Sequence, residues 1–187
     1  LVTGVQTCAL PIFLFLSNLI KSKGVYVLLE ACKILKEKKL NFHCVFIGGV
    51  GDISEFSFNK KVNELKLNEY VNYVGKKYKK EKEDAFINSD VFVLPTLNDC
   101  FPLVLLEAMQ FNLPLISTNE GGISEIIDHK ENGFIISKND PLMLASKLEF
   151  LIKNPLIIEK MGNASKQKFK NNFTIEIFEF NINKILK

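Results

Sequence analysis

The stretch V91-F-V-L-P-T-L-N-D-C-F-P-L-V-L-L-E-A-M-Q-F-N-L-P-L-I-S-T118 packs two apolar runs, a polar loop and a short helical pattern into one compact unit. VFVLP (91–95) reads as a buried strand, LVLLEAMQF (103–111) as an apolar helix opened by Pro102, and LPLIS (113–117) as the next strand. A strand joined to a second strand through a helix is a parallel crossover, so the unit predicts an α/β fold. Two acids stand in it, Asp99 in the loop and Glu107 in the helix, with seven residues between them. Pro102 places Glu107 one to two turns into the helix, so both acids can face the crevice at the strand ends. The N–H groups of Leu103 and Val104 are first-turn donors with no intrahelical partner, suited to an anion. The plainer alternative makes Asp99 a capping acid and Glu107 a solvated side chain. Against it, Glu107 sits between Leu106, Ala108 and Met109, where an unpaired acid is costly and a hydroxyl-rich ligand is one good partner.

The same alternation runs outward in both directions. FLFLS (13–17), HCVFIG (43–48), VNYVG (71–75) and GFIIS (133–137) bring the candidate strands to six. They are continuously apolar, as strands buried on both faces must be. Between and after them, residues 24–38, 54–67, 81–88, 141–152, 155–172 and 174–187 carry helical patterns, two of them opened by proline. The expectation is a Rossmann-like parallel six-stranded sheet with helices on both faces, in a single domain.

Composition narrows the function classes. The 187 residues are 47% hydrophobic, with a net charge of +3 and lysines spread among acids, which does not indicate nucleic acid. The four cysteines, Cys8, Cys32, Cys44 and Cys100, lack CxxC spacing, so neither a zinc site nor a disulfide framework is expected. The apolar stretch at 8–16 is much shorter than the roughly 20 residues of a membrane helix and has no basic residue before it. A cytoplasmic protein is expected. VTGVQTCALPI (2–12) has no charge and no periodicity, and it resembles the translation of a sequencing-library adapter. The reading therefore sets 1–12 aside as non-native and places one domain at 13–187.

In an open parallel sheet, ligands bind at the carboxyl ends of the strands. SNLIKSKG (17–24) follows the first strand there and brings Lys21 and Lys23 to a helix start, where a phosphate could sit. GGVGD (48–52) permits close backbone approach but is not GxGxxG, so NAD binding is not supported. His43 in a strand and His129 in a polar turn do not look catalytic.

Three of these segments, in this order, resemble the donor-binding domain of the family 4 glycosyltransferases of GT-B fold, over residues 13–172. The family's G-R-L-x-x-x-K-G loop reads S-N-L-I-K-S-K-G here, with Lys23 at the lysine and Asn18 at the arginine, and Lys21 nearby as a substitute cation. Its E-x7-E motif reads D-C-F-P-L-V-L-L-E-A from Asp99 to Ala108. The resemblance implies that Glu107 binds the ribose hydroxyls and that Asp99 approaches the transferred sugar. The turn through Cys100, Phe101, Leu103 and Val104 would bring backbone amides to the diphosphate, although Pro102 in place of glycine removes one donor. V-G-K-K (74–77) matches the loop whose backbone reads the base, which places Lys76 and Lys77 beside the nucleotide. NEGGISEII (119–127) resembles the family's glycine-pair turn.

The resemblance also implies a retaining hexosyl transfer from a UDP- or GDP-sugar without metal or cofactor, Lys23 and Asp99 being the catalytic pair. A missing N-terminal domain would bind a glycan or lipid-linked acceptor, and the intact enzyme, with peripheral membrane association, would serve cell-surface polysaccharide or glycoconjugate synthesis. Two other readings share the architecture: a nucleotide-sugar 2-epimerase, which needs cleft acids and histidines not found here, and a non-catalytic nucleotide-binding module.

Overall fold

A computed structural model describes residues 10–186. Six strands form one wholly parallel sheet in the order β3-β2-β1-β4-β5-β6, with helices on both faces. They are β1 (Ile12–Leu16), β2 (His43–Ile47), β3 (Val71–Tyr73), β4 (Val91–Leu94), β5 (Leu115–Thr118) and β6 (Gly133–Ile136). The helices are α1 (Val25–Glu37), α2 (Glu55–Glu64), α3 (Lys79–Ile87), α4 (Leu103–Gln110), α5 (Ile123–Ile126), α6 (Pro141–Lys153), α7 (Pro155–Asn172) and α8 (Ile175–Ile185). The order reverses between β1 and β4, so the crevice at a topological switch point lies above those two strands.

Burial follows the apolar runs. Phe13, Leu14 and Phe15 of β1 are fully buried, as are all four residues of β4. Rings run from the sheet onto one face, Phe15 to Phe46 at 5.0 Å between centroids, Phe46 to Phe58 at 5.0 Å and Phe58 to Tyr73 at 5.5 Å. Each such ring contributes about 1.5–3 kcal/mol through burial alone. α1 packs on α6, and α4 packs on α7. Two helices start on side-chain caps: Ser54 accepts from the Ser57 N–H at 3.1 Å, and Asp140 accepts from the Met143 N–H at 2.8 Å. α8 buries none of its residues and leaves Ile175, Phe178, Phe180 and Ile185 more than half exposed. No described helix is long and apolar enough to cross a membrane.

Element edges differ from the sequence expectation where hydrogen bonding, not composition, decides. β1 begins at Ile12, inside the segment set aside as non-native: the Ile12 N–H donates to Asp90 Oδ2 at 2.7 Å, and its carbonyl accepts from the Asp90 N–H at 2.9 Å. The Pro11 carbonyl accepts from the His43 N–H at 2.9 Å. β5 begins at Leu115, because the Leu113 N–H still closes α4 on the Ala108 carbonyl at 3.3 Å and Pro114 has no N–H to give. α3 starts at Lys79, two residues before the predicted edge at 81. Cys8 lies outside the described residues.

Candidate functional site

Two loops meet above the switch point. The loop after β1 closes into α1 through Gly24, whose φ of 81° is left-handed and whose missing side chain leaves room for the Pro95 carbonyl. The loop after β4 is tied to it by the Leu97 N–H on the Ser22 carbonyl at 2.6 Å and by Thr96 Oγ1 on the same carbonyl at 3.1 Å. Buried Ser117 and Thr118 of β5 hold the end of β4 from the other side, donating to the Leu94 and Thr96 carbonyls at 2.6 Å each. These ties bring Lys23 Nζ to 2.7 Å from Asp99 Oδ2, with side chains 26% and 13% exposed. An ion pair that retains this much water contact contributes roughly 1 kcal/mol or less, so an incoming anion can compete for Lys23.

α4 opens on Pro102, which offers no side-chain cap. Asp99 therefore does not cap the helix; its carboxylate is spent on Lys23. Among the described residues, no acceptor takes the N–H groups of Cys100, Phe101, Leu103 or Val104. The turn they form is fixed from behind. The Cys100 carbonyl accepts from the Gly122 N–H at 2.6 Å, and a side chain on Gly121, φ 48°, would fall on that carbonyl. The glycine pair after β5 thus lets two backbones touch, and Phe101 fills the space over Gly122 against Phe173, 6.4 Å between ring centroids.

Glu107 is not left alone in its apolar helix. Its buried Oε2 lies 2.6 Å from Lys82 Nζ of α3, an ion pair that balances the charge. The rest of the Glu107 side chain stays partly exposed, so the pairing with Lys82 does not close off the carboxyl group. Lys82 lines two adjoining cavities. One, of about 260 Å³, lies over the ends of β1 and β2 between Asn18, Gly48, Gly49, Lys76, Lys77 and Tyr78. The other, of about 370 Å³, holds Glu107. A third, of about 360 Å³, lies among β6, α6 and α7 around Phe134 and Lys147, away from the strand ends that carry the acids and free amides.

Asn18 serves as a brace: its Oδ1 accepts from the Gly49 N–H at 2.9 Å. Lys77 pairs with Glu81 at 2.8 Å, whereas Lys76 has no acidic partner among the described residues. Lys21 does not line the cavity beside Asn18. Its backbone N–H is held by Asp52 Oδ1 at 2.8 Å. His129 lies at the opposite edge; its Nδ1 accepts from the Ile135 N–H at 3.0 Å, and burial, then Lys130 and Lys147, hold its pKa below the ordinary 6.5.

The structure thus pairs Lys23 with Asp99 at the turn that carries the four free amides, and sets Asn18, Lys76 and Lys77 around one cavity. Glu107 lies in the neighbouring cavity, joined to the first through Lys82. Sequence reasoning missed Lys82 and Tyr78. Lys82 stands in a run of like residues, K79-K-E-K-E-D84, with nothing to single it out, and Tyr78 is an isolated aromatic, 66% exposed at the cavity wall.

The family described as glycosyl transferases, group 1, matches residues 9–168. The chain belongs to that family. It is 29% identical over 163 residues to the capsular polysaccharide biosynthesis glycosyltransferase CapM of Staphylococcus aureus, covering 87% of this chain and 42% of CapM. It is 30% identical over 170 residues to the amylovoran biosynthesis glycosyltransferase AmsK of Erwinia amylovora, covering 88% of this chain and 41% of AmsK. The chain therefore spans less than half the length of these relatives. Among solved structures, Anabaena HepE in complex with UDP superposes with a TM-score of 0.86 at 17% identity, over 95% of this chain and 48% of HepE. The C-terminal domain of the group 1 glycosyl transferase LpcC from Francisella tularensis superposes with a TM-score of 0.78 at 24% identity, over 89% of this chain and 87% of that domain. The fold is that of the C-terminal half of a GT-B glycosyltransferase.

Proposed function

We propose that this group 1 glycosyltransferase domain binds the nucleoside diphosphate of a UDP- or GDP-sugar at the carboxyl edge of its sheet, and that the whole protein transfers the sugar with retention of configuration. One observation carries the reading: Lys23 pairs with Asp99 at the turn into α4, where four backbone N–H groups have no acceptor among the described residues, so a diphosphate at that turn would find both hydrogen bonds and positive charge. In this reading Lys23 and the Leu103 and Val104 amides stabilise the leaving diphosphate as the sugar acquires oxocarbenium character, so no metal or cofactor takes part. Asp99 releases Lys23 to the phosphate and faces the transferred sugar. Glu107 accepts from the ribose hydroxyls through the carboxylate oxygen that Lys82 does not pair with. The base lies against the backbone at Lys76 and Lys77.

The acceptor, a glycan or a lipid-linked sugar, would be held by a further domain, and the product would be a cell-surface polysaccharide or glycoconjugate. The work of CapM and AmsK in polysaccharide synthesis supports that assignment. The reaction would take place in the cytoplasm, with the whole enzyme at the membrane periphery. Calorimetry of the 187-residue chain with UDP, GDP, ADP and their glucose or mannose conjugates tests the binding reading. One nucleoside diphosphate is expected to bind, and Glu107→Ala is expected to weaken it about tenfold or more, the loss of a hydrogen-bonded charged group. A folded chain that binds none of them would refute the reading.

A further inference from the structure

The resemblance to family 4 sets an arginine where this chain has Asn18, which leaves the diphosphate one cation short in sequence. In space the charge is present. We infer that Lys76, from the loop between β3 and α3, supplies the second cation of the diphosphate site and stands in for the arginine. The inference rests on the donor-binding reading above.

Three observations place it. First, Lys76 lies across Gly49: a β-carbon on Gly49 would overlap Lys76 Cε, and that same point is 3.3 Å from Lys76 Nζ and 3.0 Å from Asn18 Oδ1. The ammonium and the amide oxygen therefore converge over one glycine, and the absent side chain makes room for the lysine stem. Second, the cavity beside Asn18 is lined by Lys76, Lys77 and Lys82. Lys77 is paired with Glu81 and Lys82 with Glu107, whereas Lys76 has no acidic partner among the described residues. Lys23, the first cation of the proposed diphosphate site, is paired with Asp99. An anion entering this cavity thus meets one ammonium that need not first be separated from a carboxylate, so its charge is worth more than that of its paired neighbours. Third, Asn18 is the brace that makes this possible. Its Oδ1 holds the Gly49 N–H at 2.9 Å, and the Gly48 N–H is tied to the Gly75 carbonyl at 3.0 Å, fixing the loop after β2 under the lysine. An arginine at position 18 could not accept from that N–H. The cation has moved from the first loop to the third, and the vacated position holds the floor on which the lysine rests.

The experiment compares wild type, Lys76→Met, Lys76→Arg and the double variant Asn18→Arg/Lys76→Met. Calorimetry reads the nucleoside diphosphate, and NMR titration reads the corresponding nucleoside. Lys76→Met is expected to weaken the diphosphate about tenfold to a hundredfold, the value of one charge-assisted hydrogen bond, while nucleoside binding stays within twofold. The dependence of affinity on salt should become shallower, Lys76→Arg should stay near wild type, and Asn18→Arg/Lys76→Met should recover part of the loss. Unchanged diphosphate affinity in Lys76→Met, or an equal loss for the nucleoside, would overturn the inference and leave the donor reading standing. Wild type binding no nucleoside diphosphate would overturn both.

Discussion

Lys23 Nζ lies 2.7 Å from Asp99 Oδ2, an ion pair between two loops whose residues are 76 positions apart. The pair ties the first cation of the proposed diphosphate site to the acid expected beside the sugar, so each is held by the other until a ligand separates them. Asp99→Asn keeps the shape and removes the competition. Nucleoside diphosphate binding is expected to tighten by up to about fivefold, the value of a partly exposed pair, while Lys23→Met weakens it. Calorimetry decides it, and a weaker Asp99→Asn complex would show that the acid helps the ligand to bind.

Gly24 joins the first loop to α1 in a left-handed conformation, φ 81°, directly against the Pro95 carbonyl. Gly24→Ala meets both the backbone penalty, about 1–2 kcal/mol, and overpacking of about 1–3 kcal/mol. Gly75 has a similar φ of 70° but open space around it, so Gly75→Ala should cost only the first contribution. Urea denaturation of the two variants should separate them by at least 1 kcal/mol, a threshold near the low end of the packing penalty.

His129 carries a pH dependence that can be signed. Burial, then Lys130 and Lys147, lower its pKa from 6.5 in the folded chain. The unfolded chain therefore binds a proton first as pH falls below that value, and stability declines with acid until the folded pKa is reached. The Ile135 N–H, which donates to Nδ1 at 3.0 Å, has no acceptor there once the ring is doubly protonated. Thermal midpoints of wild type should fall more steeply than those of His129→Asn as pH drops below 6.5, because the asparagine keeps an acceptor and does not titrate. Parallel curves would exclude His129 as the source.

Thiol reactivity should divide along burial. Cys44 is fully buried beside Cys32, and burial, then the neighbouring thiol, pushes its pKa well up, while Cys100 is exposed at the α4 turn. Peptide mapping after brief alkylation at pH 8 should find Cys100 modified and Cys32 and Cys44 intact; nucleoside diphosphate should slow the reaction at Cys100. Equal labelling of Cys44 would mean that the sheet opens around β2.

How much of this was legible in the sequence depends on range. The six strands and most helices could be read because continuously apolar runs such as Val91–Leu94 have one physical use, a strand covered on both faces. The free amides at Leu103 and Val104 could be read from Pro102, a local signal. Partnerships were not legible. That Asp99 answers Lys23, that Lys82 answers Glu107 and that Lys76 lies over Gly49 depend on how three loops converge, and each involves one lysine among 24 basic residues with the same local chemistry. The start of β1 at Ile12 was hidden for a related reason: Asp90, which takes its N–H, lies 78 residues away.

The central claim is that the carboxyl edge of the sheet, and not the cavity around Phe134, receives a nucleoside diphosphate. An amide-resolved NMR titration of the chain with UDP and with GDP tests it most directly. The account predicts that the active ligand shifts the N–H signals of Gly49, Lys76, Leu103 and Val104 together, leaving those of Phe134 and Lys147 unmoved. Shifts confined to Phe134 and Lys147, or no shift with either ligand, would contradict it.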